Sequence, residues 1–280
     1  MATESRATGT RRPDYAALCG IVVALGGILG GLVLEGGKIA DVAQLTAAMI
    51  VLGGTIGAVM LTTPFAIIKT AVARLKTALY DEDVSPAGII EQIVSFATKA
   101  RKTGIISLER DAAQIPDPFL KKALMLAVDG TELQAVREMM QLQMRLESSE
   151  ADTDARVFEA AGGYAPTIGI IGAVIGLIQV MKHLDNINRV GYGIAVAFVA
   201  TIYGVGVANL FLLPMAQKIR TRVQQRLRIE ELMLEGVSSI SEGMNPRLIR
   251  RKLDAFVREQ RHQSPRIVEP SQAPPREASA

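Results

Sequence analysis

The sequence predicts an all-α polytopic membrane protein, with four transmembrane helices and a helical domain inserted after the second. Three observations carry this prediction. Four apolar stretches, 15–34, 42–68, 160–181 and 191–213, each come close to the ~20 residues needed to cross a bilayer core. None of the four holds an Asp, Glu, Lys, Arg or His away from its ends. The composition agrees: the 280 residues are 49% hydrophobic, with 25 Gly, no Trp and a mean hydropathy of +0.26. That is the profile of membrane helices that pack through small residues.

Residues 1–14 are polar, and Arg6, Arg11 and Arg12 stand just before the first apolar run. Arg11-Arg12 weakly resembles a twin-arginine export signal, but no clear small-residue cleavage site follows and a second apolar stretch comes directly after. An uncleaved first span is therefore expected. The seven residues 35–41 separate the first two spans, which forces an antiparallel hairpin over 15–68. Gly53, Gly54 and Gly57 imitate a phosphate loop. No Gly-Lys-Ser/Thr follows them and their surroundings are apolar, so helix packing is their expected role. Pro64 either kinks the second span or ends it.

Residues 69–157 read as a helical domain with clear punctuation. Ser85 precedes Pro86, Asp117 precedes Pro118, and Gly104 and Gly130 stand where helices would stop. Thr131 with Gln134 has the pattern of a capping box for a long helix running toward Phe158. Ile89, Ile90, Ile93, Val94, Phe96 and Ala97 recur at helical spacing, enough for a modest core. The segment mixes 12 basic with 14 acidic residues and has no series of stacking aromatics, so it is not a nucleic-acid surface.

Residues 158–214 form the second hairpin, with 182–190 as its polar connector. Gly162, Ala165, Gly169, Gly172 and Gly176 fall along one face of its first helix, and Gly193, Ala197, Ala200, Gly204 and Ala208 along one face of its second. In lipid such stripes let helix backbones approach closely. Ile168, Ile171, Ile175 and Ile178 form the opposite face, suited to lipid or a bulky neighbour. Pro166 begins the hydrophobic part of the first helix and Pro214 closes the second, each leaving a carbonyl one turn back without its donor. On the residues alone, the prolines are either ordinary helix-end prolines or a matched pair of hinges.

Residues 215–262 continue as charged amphipathic helix, with a short helix over 247–260. A Pro/Ser/Glu-rich tail, 263–280, is expected to be disordered. Positive charge sets the expected orientation. Of 31 Lys and Arg, 3 precede the first span, 12 lie in 69–157 and 13 follow 214, whereas the two short links hold only Lys38, Lys182 and Arg189. Both termini and the large loop are thus expected in the cytoplasm.

An ion pathway needs a titratable or coordinating group at membrane depth. Here the spans offer only Thr55, Thr167, Thr201, Tyr203, Gln179 and backbone carbonyls. Either the chain conducts nothing or another polypeptide supplies a carboxylate. Thr201 lies on or beside the small-residue stripe, where it faces a pore or bonds back to a carbonyl one turn earlier. Cys19 is the one cysteine, so no intrachain disulfide forms. His183 and His262 have no ligand cluster around them, and no arrangement of residues suggests an enzyme site. No bound cofactor is expected.

The string Ala165-Pro166-Thr167-Ile168-Gly169-Ile170-Ile171-Gly172, followed by Val199-Ala200-Thr201-Ile202-Tyr203-Gly204 and Asn209-Leu210-Phe211-Leu212-Leu213-Pro214, resembles the MotA branch of the MotA/TolQ/ExbB family. The likeness covers residues 15 to 255 in several separated motifs. It implies a flagellar stator subunit in a homo-oligomeric ring, commonly a pentamer, around a single-span MotB-type peptidoglycan-binding partner that supplies an Asp. It also implies a conformational role for Pro166, Thr201, Pro214 and Tyr203. Arg101 to Glu109 resemble the family stretch that carries rotor-facing charges, which makes Arg101 and Glu109 candidates for contact with a switch-ring protein of FliG type. The alternative for such surface charges is plain solvation. Where sodium-driven relatives carry Gly-Thr this chain has Gly172-Ala173, and that difference implies a proton as the transported ion. ExbB/TolQ-like relatives generally have three spans and an external N-terminus. The hairpin 15–68 and the basic N-terminus argue against that branch, and a non-conducting scaffold is the reading from another class.

Overall fold

The computed structural model describes residues 12–81 and 85–262, and these are helical almost throughout. They fall into two compact units: 12–81 with 142–227, and 85–141 with 228–262. The N-terminal 1–11 and the tail 263–280, for which disorder was expected, lie outside the described residues.

The first unit holds four helical stretches long and apolar enough to cross a membrane, within Tyr15–Leu34, Ile39–Thr62, Leu133–Lys182 and Ile187–Ser241. Helix α1, Tyr15–Leu34, starts at Asp14, whose carboxylate accepts from the Ala17 amide at 3.0 Å. It stops at Gly36, which takes φ +85° while the Gly36 and Gly37 amides donate back to Val33 and Leu32. None of its residues is buried within this chain.

The second span differs from the unbroken helix expected over 42–68. It runs as α2 (Ile39–Val42), a break at Ala43 and Gln44, α3 (Leu45–Ala48), a π-helical stretch Met49–Gly53, and α4 (Gly54–Thr62). Pro64 ends it. Thr63 turns extended (φ −130°, ψ 129°), as a residue ahead of proline must to clear the ring. The chain resumes as α5, Phe65–Ala78. A two-residue antiparallel pairing of Arg12–Pro13 (β1) with Tyr80–Asp81 (β2), which the sequence does not announce, adds a further tie between the ends of this segment.

In the second unit, α6 (Pro86–Thr103), a 3₁₀ turn Ile105–Leu108, α7 (Glu109–Ala113) and α8 (Pro118–Val128) follow the expected punctuation. Asp117 caps α8 through the Phe119 and Leu120 amides, both at 3.0 Å, and Gly104 and Gly130 take φ +83° and +75°. Two caps differ from expectation. Ser85 sits at the N-cap without a side-chain bond. Thr131 does not cap, because helix α9 begins at Leu133 with the Val136 amide bonded to the Glu132 carbonyl; Gln134 donates to Glu138 instead.

Helix α9 runs from Leu133 to Lys182 without interruption, so the chain passes position 157/158 inside one helix, with Pro166 in its interior. Asn186 caps α10, Ile187–Val207. A π-helical stretch Ala208–Leu212 leads into α11, Leu213–Ser241. Pro214 therefore does not close the helix as expected. In the π turn the Leu213 amide donates to Ala208, five residues back. That wider turn makes room for a proline ring against the carbonyl one turn earlier. Gly243, at φ +70°, ends the helix before α12, Pro246–His262.

The core of the second unit joins Ile89, Ile93 and Phe96 of α6, Phe119, Leu120 and Leu124 of α8, Leu232, Met233 and Val237 of α11, and Ile249 and Leu253 of α12. Gly236 lies hard against Ile93: a Cβ there would stand 2.6 Å from Cδ1 and 2.8 Å from Cγ2. Gly236→Val should thus overpack this core by about 1–3 kcal/mol. The expected readout is a lower thermal midpoint of the purified chain in detergent, with Gly163→Val, where a Cβ meets nothing within 4 Å, as the neutral comparison.

Candidate functional site

The site is built where α9 and α10 cross. Gly169 stands so close to α10 that a Cβ on it would lie 2.9 Å from the Ala200 carbonyl and 3.2 Å from Gly204 Cα. From the other side, a Cβ on Gly204 would meet the Ala165 carbonyl at 2.6 Å, Gly169 Cα at 3.1 Å and Pro166 Cα at 3.2 Å. A Cβ on Gly176 would lie 2.8 Å from both the Ala197 amide nitrogen and the Gly193 carbonyl. One on Gly172 would meet Ala200 Cβ at 2.8 Å and Ile50 Cγ2 at 3.3 Å, so the second span joins the contact there. Gly162 touches Leu212 and Leu213. These helices meet backbone to backbone, an approach that only residues without a side chain allow.

Ile168, on the face suited to lipid or a neighbour, packs on Gly54, whereas Ile171, Ile175 and Ile178 are exposed. Gly53 and Gly57 face open space.

The polar groups of the pair are few. Thr201 is half-buried and its hydroxyl donates to the Ala197 carbonyl at 3.2 Å, the back-bonded alternative of the two weighed for it. One lone pair of that oxygen still accepts. Thr167, exposed, donates to the Tyr164 carbonyl at 2.8 Å. Ala173 is half-buried and contributes a methyl. Pro166 is half-buried against Gly204, and Pro214 is exposed. Tyr203 turns toward the second span, donating to the Val42 carbonyl at 2.5 Å and accepting from the Gln44 amide at 3.3 Å. Asn209 donates to the Val205 carbonyl at 2.9 Å, where the helix widens.

Beyond the spans, the first unit carries a layer of ion pairs that no sequence pattern assigned. Asp14, 8% exposed, accepts from both Lys218 and Arg222 of α11. Asp154, 4% exposed, accepts from Arg74 Nε at 2.6 Å and the Thr70 hydroxyl at 2.7 Å. Arg220 spreads its guanidinium across Asp152 at 2.8 Å and Glu159 at 2.9 Å. The Lys218 hydrogen bond, the Ala17 amide and the nearby Arg222 charge hold the Asp14 carboxyl down at about 2 against their opposing desolvation. Arg220 likewise lowers Asp152. Only Asp14 had a sequence signal, as an N-cap residue directly before an apolar run.

In the second unit Arg101 and Glu109 are both exposed, and neither side chain makes a hydrogen bond or ion pair with another described residue. Lys99 and Asp111 beside them do pair, at 2.7 Å. Among the described residues no three His, Cys, Asp or Glu side chains gather as a metal site would require.

Fold and site together define a four-span membrane subunit whose third and fourth helices pack through glycine and whose charged groups lie outside the spans. Residues 111–231 match the MotA/TolQ/ExbB proton channel family and residues 18–104 the motility protein A N-terminal family. The chain is 35% identical over 242 residues to motility protein A of Bacillus subtilis strain 168, covering 86% of this chain and 89% of that one. The C. jejuni MotAB structure superposes with a TM-score of 0.82 at 30% identity, over 93% of this chain and 99% of that one. The flagellar MotAB stator complex of Bacillus subtilis also gives 0.82, at 32% identity, over 90% and 100%. The chain belongs to the MotA/TolQ/ExbB proton channel family, in its motility protein A branch, the ion-conducting stator subunits of the flagellar motor. The N-terminal match covers the hairpin that the ExbB/TolQ alternative lacks.

Asp14 provides a pH test. Its folded pKa is depressed, so its contribution is complete above the unfolded value of about 3.9 and disappears as pH falls through about 2. Asp14→Asn should lower the thermal midpoint of the purified chain at pH 5–7, and the gap to wild type should narrow only below pH 4. A gap independent of pH would show that the carboxylate charge plays no part.

Proposed function

We propose that the chain passes protons to an aspartate of a single-span, MotB-type peptidoglycan-binding partner, in a ring of five copies around that partner. Helices α9 and α10 line the inner wall, α1 and the second span lie outside toward lipid, and the termini and large loop face the cytoplasm. Named MotAB complexes among the similar structures support a partner of this kind. The observation that carries the reading is the seat of Pro166. It lies at the Gly169–Gly204 contact, so a change at the α9 backbone there is felt by α10 without slack.

The spans hold no Asp, Glu, Lys, Arg or His away from their ends, so the charge that binds the ion comes from the partner. Pro166 leaves the Gly162 carbonyl without its helical donor, and Thr201 retains an acceptor lone pair. These oxygens suit a hydrogen-bonded water path. A sodium ion would have to exchange its water shell for several fixed oxygens, and Ala173 offers none. Each ion crossing supplies about 2.3 kcal/mol per 100 mV, so torque is generated in repeated small steps. Arg101 and Glu109, exposed and with side chains unpaired among the described residues, are the charges offered to a rotor protein of FliG type.

Three experiments test this reading. Pro166→Leu supplies the amide donor that the Gly162 carbonyl lacks and should leave assembly intact while motility is lost; swimming at normal speed would remove Pro166 from the mechanism. Reversing both charges, with Arg101→Glu and Glu109→Arg, should reduce torque or recruitment, with partial recovery when opposite changes are made on the rotor. Unchanged torque and recruitment in the double variant would exclude a rotor contact at these positions. For the ion, swimming speed is measured across a sodium series at fixed pH and membrane potential. A proton-driven unit keeps its speed without sodium, and speed proportional to sodium would refute the assignment.

A further inference from the structure

The break at Ala43 and Gln44 interrupts the helical bonding of the second span at the Val42 carbonyl and the Gln44 amide. Ala43 takes φ −89° and ψ 79°, and Gln44 φ −116° and ψ 114°, so neither group finds a helical partner. Irregular backbone at membrane depth is stable only where protein or water satisfies it. One side of this break lines an open cavity with Thr46, Tyr192 and Ala195. The other side is met by a single atom, the Tyr203 hydroxyl oxygen, which donates to Val42 and accepts from Gln44. These two bonds span 161 and 159 positions of sequence, linking the fourth span directly to the second. The Tyr203 ring packs on Ala47, Val51, Val199 and Ala200, the small cluster in which the second and fourth spans meet. Gly172 of α9 touches the same place through Ala200 and Ile50.

We infer that Tyr203 is a positioning residue of the stator cycle: its hydroxyl latches the broken outer part of the second span to α10, so that the outer hairpin moves with the inner pair. The phenol proton is committed to Val42 and one lone pair to Gln44. Without the latch α9 and α10 stay packed, because their glycine contacts do not involve Tyr203. What is lost is the coupling of α10 to the second span, and torque per unit with it.

The inference rests on the stator reading, and the experiment separates the two. In cells lacking their own stator, the full chain and its partner are re-expressed and the stepwise rise in speed of a bead-loaded motor is recorded. Wild-type chain must itself produce steps; if it does not, the function is at fault and not the latch. Tyr203→Phe, and 4-methylphenylalanine in place of Tyr203, keep the ring and lose both bonds. For each, the number of steps should be unchanged and the step height should fall by about twofold or more. 4-Aminophenylalanine at the same position restores a donor toward Val42 and should recover most of the height. Full-height steps in the Tyr203→Phe variant would overturn the latch. So would fewer steps of normal height, the signature of a role in stability alone, or an amino variant no better than the methyl one. If neither hydroxyl-free variant assembles while the amino variant does, the residue serves assembly only and the inference fails.

Discussion

The contact between Gly169 and Gly204 fixes what the surrounding elements can do. With a Cβ on Gly204 only 2.6 Å from the Ala165 carbonyl, no side chain of any size fits between α9 and α10 at this point. Dispersion and the close approach of backbones hold such a pair together in lipid, where apolar burial gives no net drive. The polar side chains of this pair are tied off close to the seam. The Thr167, Thr201 and Asn209 side chains bond to carbonyls of their own helices, and Tyr203 reaches the one place where the second span loses its helix.

Outside the spans the binding is of another kind. Asp14, Asp152 and Asp154 each hold a cation of another element, tying the start of α1 to α11, α5 to α9, and α9 to α11. Asp14 and Asp154 are nearly fully buried, so their neutralisation is obligatory and removing one partner costs more than the pair contributes. The seam sets how close α9 and α10 lie, and the ion pairs set how their ends are held.

The sequence made the seam legible because glycine spacing of three and four has one common meaning in an apolar helix, and Gly162, Gly169, Gly172, Gly176, Gly193 and Gly204 all fall on it. Helix ends in the second unit were legible where a glycine needs a positive φ, as at Gly104 and Gly130, and where Asp117 precedes a proline. Pro214 reads as a stop in the sequence because a proline in a continuing helix removes a bond. Nothing in Ala208-Asn209-Leu210-Phe211-Leu212 signals the π turn that accommodates it. The break at Ala43 and Gln44 was hidden for a similar reason: neither residue is a helix breaker, and the group that satisfies it lies 160 positions away. Charge pairing was equally unreadable, since Arg220 and Asp152 have no local pattern that joins them. Arg101 and Glu109 stand out only through a family motif, and as exposed side chains they carry no structural mark of their own.

The π turn at Ala208–Leu212 also solves a problem of phase. The inward face of the fourth helix runs through Gly193, Ala197, Ala200, Gly204, Ala208, Leu212, Ala216, Ile219 and Val223, eight steps over 30 residues. A regular α-helix at 3.6 residues per turn would let that row drift by about 120° around the axis, carrying its lower half off the neighbours that its upper half meets. One extra residue in a single turn returns about 100° of this. Ala216 and Ile219 are buried with Ala155 and Phe158 of α9, while Gly204 is buried against Gly169 of the same helix. Moving or deleting one residue in 208–212 would therefore act like a vernier slip, leaving every contact on one side of it intact and misaligning every contact on the other.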